Sequence, residues 1–472
     1  MAIGRHHIVL LGRFFDAFFR KGILKSFGVL VPALTVYLGT NYTTIGLILS
    51  LNAAFTQLAC MLMNPLMKRL GTRRVAATGG LMSGICILTT AFTQSVYLTG
   101  FLFVSAGFFS AASNLGTTTT LQQHFGRRFG AMNSLALIGI SAGSTLLPLL
   151  TAVLYRYYGL SGTLLILGGL LLNEFPIGAV LVPPRKRIIR VGTALDEGNC
   201  DVKDSVQVVI AGNLRGSECG PVANSASEQF TECNTQNEAS LDQEQSSASA
   251  NSCRDCMKVV KDTFDFRIFR EEKYFTFFML PILILSSLAN YGWVLFVTSY
   301  AITVGIESSK AAYLAAVGAA GGIASCALQA IVFHRRPQWS PHVMATLCFT
   351  GALTLIIQTL QSDLPYLLVC SFIIGASLYG VSTAVDAVVA VIVAPHNFQG
   401  AIAFTFALEG IGTLIAGPFS GFLFDFTGSF ETVFLVIGGM ASLAHVFGVI
   451  LILTRRYNRR HYKVVEMVED PL

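Results

Sequence analysis

The chain has 472 residues, 53% of them hydrophobic and 12% charged, with a net charge of +6. A soluble globular protein carries about 25% charged residues, so a soluble fold is excluded. The excess positive charge sits in particular loops, which argues for membrane topology and against nucleic-acid binding. Repeated apolar runs match helices that cross a hydrocarbon core of ~30 Å while satisfying their own backbone groups.

The first run covers about residues 8–37 and contains RFFDAFFRKGILK at 13–25, with four basic residues and one acid. At 100° per residue, Arg13, Asp16 and Arg20 share one stripe, and Lys21 and Lys25 form a second beside it. Asp16 can pair with both arginines. The lysine stripe has no acid of its own in this span, which makes Lys25 the better candidate for a substrate's negative charge. An intramembrane charge faces protein or water and is by default a functional candidate, although Arg13 can also snorkel and the triad can be structural. No cleavable signal is expected, because the first run is longer than a signal's apolar segment.

Further runs lie at about 43–66, 74–93, 96–122, 129–154 and 160–182. Residues 185–272 are rich in Ser, Asn, Gln, Glu and Asp, a composition that predicts a largely disordered linker, with a short amphipathic helix near Met257–Phe269. Cys253 and Cys256, a lone CxxC pair in this linker, read as incidental thiols; no metal site or cofactor is implied. Six more runs follow at about 273–303, 309–333, 341–361, 365–393, 399–424 and 431–454, and a basic tail occupies 455–472. Asn114 lies in the fourth span, where helix packing and substrate contact are both open. Asn290, Tyr291, Gly292 and Trp293 interrupt the seventh span as a kink or an aromatic gate. Asp386 in the tenth and Glu409 in the eleventh are acids among apolar neighbours, either structural or able to carry a proton or a counter-charge. Gly410, Gly412, Gly417 and Pro418 read as close packing and bending.

With twelve spans, Lys68, Arg69, Arg73, Arg74, Arg127, Arg128, Arg185, Lys186, Arg187, Arg335, Arg336 and the tail all fall on one side. The positive-inside rule then places both termini and the linker in the cytoplasm. The sequon at Asn41 hugs the membrane and reads as unused.

Two six-helix halves (1–184 and 273–454) joined by a long linker resemble the layout of the major facilitator superfamily, an all-α membrane fold of twelve transmembrane helices in two bundles. NPLMKRLGTRR at 64–74 is similar to its loop signature at Arg69, Gly71 and Arg73. LGTRRVAATGGLMSG, HFGRRFGAMNSLALIGISAG, GTLLILGGLLLNEFPIGAVLVPP and GPFSGFLFDFTGSF further resemble, in order, blocks of the monocarboxylate transporter family. The family's Asp-Gly-Gly-Trp-Gly-Trp run is absent, since residues 2–7 read AIGRHH. Its span 8 Asp and Arg, four residues apart, are replaced by Gly322 and Cys326, and a neutral polar residue usually stands at the place of Glu409.

The resemblance implies a plasma-membrane carrier that moves a small organic anion by alternating access, with Lys25 drawing the carboxylate and Tyr291 and Tyr379 shaping the pocket. It leaves proton coupling open and suggests a single-span immunoglobulin-like ancillary glycoprotein as partner. Facilitated transport of aromatic amino acids or zwitterions, and a non-transporting solute receptor signalling through the linker, are the alternatives. The chain carries no HExxH or GxxxxGK[ST] motif, so an enzyme is not expected.

Overall fold

The computed structural model describes residues 5–181 and 268–469. The linker expected at 185–272 lies outside them except for its last residues, as do Cys253, Cys256 and Arg185–Arg187; the same holds for 470–472 of the tail. Among the described residues the structure is all helical. The first half contains α1 (Arg5–Leu38), α2 (Tyr42–Leu58), α3 (Cys60–Leu70), α4 (Thr72–Thr90), α5 (Val96–Phe125), α6 (Phe129–Leu171) and α7 (Glu174–Val180). The second contains α8 (Ile268–Glu271), α9 (Leu280–Thr303), α10 (Ser308–Arg335), α11 (Ser340–Ile357), α12 (Leu364–Ile392), α13 (Phe398–Thr427) and α14 (Phe430–Glu469). A π-helical turn, Phe275–Met279, leads into α9.

Among the described residues, eight helical stretches are long and apolar enough to cross a membrane, or nine with α2 and α3, bent by 43°, taken as one span. One of the eight runs from Val96 to Val180 and takes in several expected spans. Gly159 divides it, because φ 65° and ψ −170° break the helical geometry inside α6 in a conformation open to glycine. The fifth and sixth expected spans are therefore two helices that meet at this residue. Asn41 caps α2 by accepting from the Thr44 amide at 2.9 Å. The interruption expected at Asn290–Trp293 is absent: α9 runs helical through all four residues, and the irregular turn lies at 275–279. The lack of a proline or a π-bulge at 290–293 leaves the hydrogen-bond ladder nothing to break on.

Helices α1 and α6 approach closely. A Cβ on Gly22 would stand 2.6 Å from the Gly143 carbonyl oxygen, and one on Gly143 would overlap the Phe18 backbone. Small residues at a membrane helix crossing let backbones touch where side chains would hold them apart. Gly410 and Gly412 serve likewise, facing Leu58 and Ser287.

Apolar packing divides into three clusters. One is shared by both halves at the end carrying the termini, where Met63, Met67, Leu121 and Phe129 join Phe333, Phe398 and Ile402. At the other end each half keeps its own core. Ile23, Phe27, Leu34 and Phe103 pack together in the first half, and Trp293, Tyr300, Leu367 and Phe434 in the second. The halves are thus sealed together at one end, and their cores part toward the other.

Candidate functional site

Between the halves, above the shared cluster, lies a cavity of about 1000 Å³ including the open space at its mouth. One wall is α1, which presents Arg13, Arg20, Lys21 and Lys25. The facing wall carries Asp386 of α12 and Glu409 of α13. Asn114, Tyr291 and Tyr379 add to the polar lining, with Gln57 and Ser141 among others. Every site residue expected from the sequence lines this cavity except Asp16, which stands behind it.

Asp16 is fully buried and organises the deep end of the α1 wall. Its carboxylate lies 3.3 Å from Arg13 Nη1 and 3.6 Å from Arg20 Nη2, and accepts from Ser113 Oγ at 2.7 Å. The i, i+3 and i, i+4 spacings bring the three charges onto one helix face. Asn114 gathers both cations: its Oδ1 accepts from Arg13 Nη1 at 2.9 Å and from Arg20 Nη2 at 2.8 Å. It contacts the arginines and lines the cavity at once, so packing and lining are not alternatives at this position.

Among the described residues, Arg20 Nε and Nη1 are buried without a hydrogen-bond partner. On the other wall Asp386 Oδ1 is likewise unpartnered on a residue 2% exposed. Buried polar atoms are nearly always satisfied, and these exceptions border the cavity from opposite sides.

Two amides tie the walls together. Asn133 Nδ2 donates to Asp386 Oδ2 at 2.8 Å, and Gln57 Nε2 donates to Glu409 Oε2 at 2.9 Å. Each amide also reaches back toward the cations: Arg13 Nε donates to Asn133 Oδ1 at 3.5 Å, and Asn114 Nδ2 donates to Gln57 Oε1 at 3.2 Å. The acids of the second half thereby communicate with the arginines of the first through neutral relays.

The two lysines behave differently. Lys21 Nζ donates to the Tyr291 hydroxyl at 3.1 Å and lies 5.8 Å from the centre of its ring. Lys25, one turn further toward the mouth, is exposed on the cavity and has no hydrogen bond or ion pair among the described residues. Tyr379 packs against Gly322, where a Cβ would meet the Ser141 hydroxyl at 2.7 Å and the Tyr379 ring at 3.0 Å. Cys326 also lines the cavity, so α10 offers it a thiol at one of the two positions where the family carries a charge pair.

Sequence reasoning passed over Gln57, Ser113 and Glu174. Glu174 is fully buried on α7 and accepts from Ser110 Oγ at 2.9 Å. An acid inside the apolar run LLNEFPIGAV is the signal that could have found it.

The Major Facilitator Superfamily model matches residues 9–361 and 342–467. Monocarboxylate transporter 6 of Mus musculus is 25% identical over 384 residues, covering 79% of this chain and 71% of that protein. Monocarboxylate transporter 2 of Meriones unguiculatus is 24% identical over 389 residues, covering 81% and 70%. Among solved structures, the human organic anion transporter TETRAN aligns with a TM-score of 0.61 at 12% identity, covering 94% of this chain and 98% of its own. With matches over both helix halves, and relatives that are themselves monocarboxylate transporters, this multi-pass membrane chain belongs to the major facilitator superfamily.

Proposed function

We propose that the chain is a secondary transporter of a small organic anion of the monocarboxylate class, moved through the central cavity by alternating access. The observation that carries this reading is Lys25: an ammonium exposed on the cavity, on the cationic wall, with no partner among the described residues. Such a charge is costly in lipid and is kept where water or a solute's carboxylate can meet it. Tyr291 and Tyr379 bound the solute from the sides, and Arg20, with two unpartnered nitrogens, stands one level deeper. The apolar cluster shared at the terminus end and the separate cores at the other support a carrier that opens one end at a time by alternating access. The basic loops favour a plasma-membrane orientation with both termini cytoplasmic. The family resemblance supports a single-span immunoglobulin-like ancillary partner for delivery.

Asp386 or Glu409 carries a proton in the coupled form of this reading, standing in for the charge pair missing at Gly322 and Cys326. An imposed pH gradient that leaves uptake unchanged would remove the coupling and leave a facilitator.

The primary test is Lys25→Ala in cells, with surface labelling in parallel. Uptake of short-chain carboxylates is expected to vanish while surface protein stays constant, and Lys25→Arg is expected to retain part of it. Undiminished uptake by Lys25→Ala would eliminate the lysine as the carboxylate's partner. A zwitterionic cargo, such as an aromatic amino acid, is the second reading, favoured by the unpartnered Asp386 Oδ1 on the wall opposite the cations. An uptake panel of carboxylates against amino acids separates the two.

A further inference from the structure

A second pocket lies at the end carrying the termini, outside the central cavity, with a volume of about 1250 Å³ including its open mouth. It is lined by Arg127 from the turn that opens α6, by Arg335 and Arg336 at the end of α10, and by Trp339 just beyond. The arginines therefore come from both halves. No acidic side chain lines the pocket, and none of the three guanidiniums has a hydrogen bond or ion pair among the described residues. Arg336 lies over the Trp339 ring at 4.9 Å, which fixes its plane and leaves its in-plane donors free.

Loops rich in arginine are expected at one face of any such protein, but they ordinarily spread their charge into solvent. Here three guanidiniums converge on one concavity. Its floor is the contact between the halves, where a Cβ on Gly130 of α6 would stand 2.9 Å from Ala387 of α12. Planar guanidiniums match the oxygens of phosphate in paired hydrogen bonds, and basic pockets between membrane helices suit phosphorylated head groups. We infer that this pocket is a binding site for a polyphosphorylated anion, presented as an inositol phospholipid head group or as a free polyphosphate. A ligand held by arginines of both walls ties them across the seam that must part when this end opens.

The test uses the full chain, purified in detergent or reconstituted, with the triple variant Arg127→Gln, Arg335→Gln, Arg336→Gln. The soluble probe is inositol trisphosphate, followed by calorimetry; the membrane probe is a vesicle containing phosphatidylinositol bisphosphate, against phosphatidylserine at equal charge. At about fivefold per cation near a membrane surface, the triple variant is expected to lose about a hundredfold in affinity. The triple lysine variant, which keeps charge and loses paired geometry, is expected to fall between and controls for folding. Inositol trisphosphate binding that the glutamine variant loses assigns the site to free polyphosphates as well; loss seen only with the phosphoinositide vesicles assigns it to the lipid. Binding indifferent to the three substitutions, equal response to phosphatidylserine, or no binding of either probe would overturn the assignment.

Discussion

Asp16 is the residue on which the cationic wall rests, and Asp16→Asn tests that dependence. The substitution keeps size and removes the charge that two arginines share at 3.3 and 3.6 Å. Arg13 is 2% and Arg20 7% exposed, so neither can turn to water for compensation. Breaking a buried ion pair by removing one partner costs about 3–5 kcal/mol, because a charge is left without its counter-charge. Asn114 still accepts from both guanidiniums, and Ser113 can still bond to the new amide, which sets the expectation at the lower end, ~3 kcal/mol. Reversible unfolding in mixed micelles, followed by circular dichroism, measures it. Adding Arg13→Gln should restore part of the loss, with a coupling of about 1–3 kcal/mol between the two positions. An Asp16→Asn protein as stable as the parent within about 0.5 kcal/mol would refute the reasoning, since the arginines would then be held by their amide and hydroxyl partners alone.

Asn133→Ala removes the donor to Asp386 Oδ2 and should weaken the state sealed at the terminus end by about 1–3 kcal/mol. Faster thiol labelling of a cysteine placed at Phe129 reports that opening, and an unchanged rate argues that the amide does not latch the halves. Lys21→Met and Tyr291→Phe each delete the same 3.1 Å link and should alter uptake rate alike, by an energy of about 0.5–1.5 kcal/mol, with no further change in the double variant. Divergent singles would show that the lysine works through something else. Gly143→Val drives a side chain into the Phe18 backbone and should cost at least about 1–3 kcal/mol, read as lost monodisperse protein, whereas Gly421→Ala meets nothing within 4 Å and should be silent.

The membrane helices and the charge stripe of α1 were legible because each is local: an apolar run announces its own span, and spacings of three and four residues fix a shared face. The partners of those charges were not. Gln57 and Glu409 are separated by 352 positions and Asn133 and Asp386 by 253, and no periodicity in either helix says which amide will meet which acid. The lysine stripe was readable as a pair, but Tyr291, 270 positions away, reaches Lys21 and not Lys25, which no local spacing foretells. Glu174 shows the opposite failure: the rule that flagged Asp386, an acid among apolar neighbours, applied to it equally and was not used. The fold of Gly159, too, depends on one residue's dihedral angles inside an otherwise continuous helical run.

The apolar seal shared by the two halves has a thermal consequence. Opening the terminus end exposes Phe129, Phe333, Phe398 and their neighbours to water, and hydrating such surface raises heat capacity. The exchange between the two access states should follow a curved van't Hoff plot to the extent that this exposure exceeds the apolar surface buried as the opposite end closes. Because burial of apolar surface weakens on cooling, the cold should loosen the seal and redistribute the carrier toward its other face.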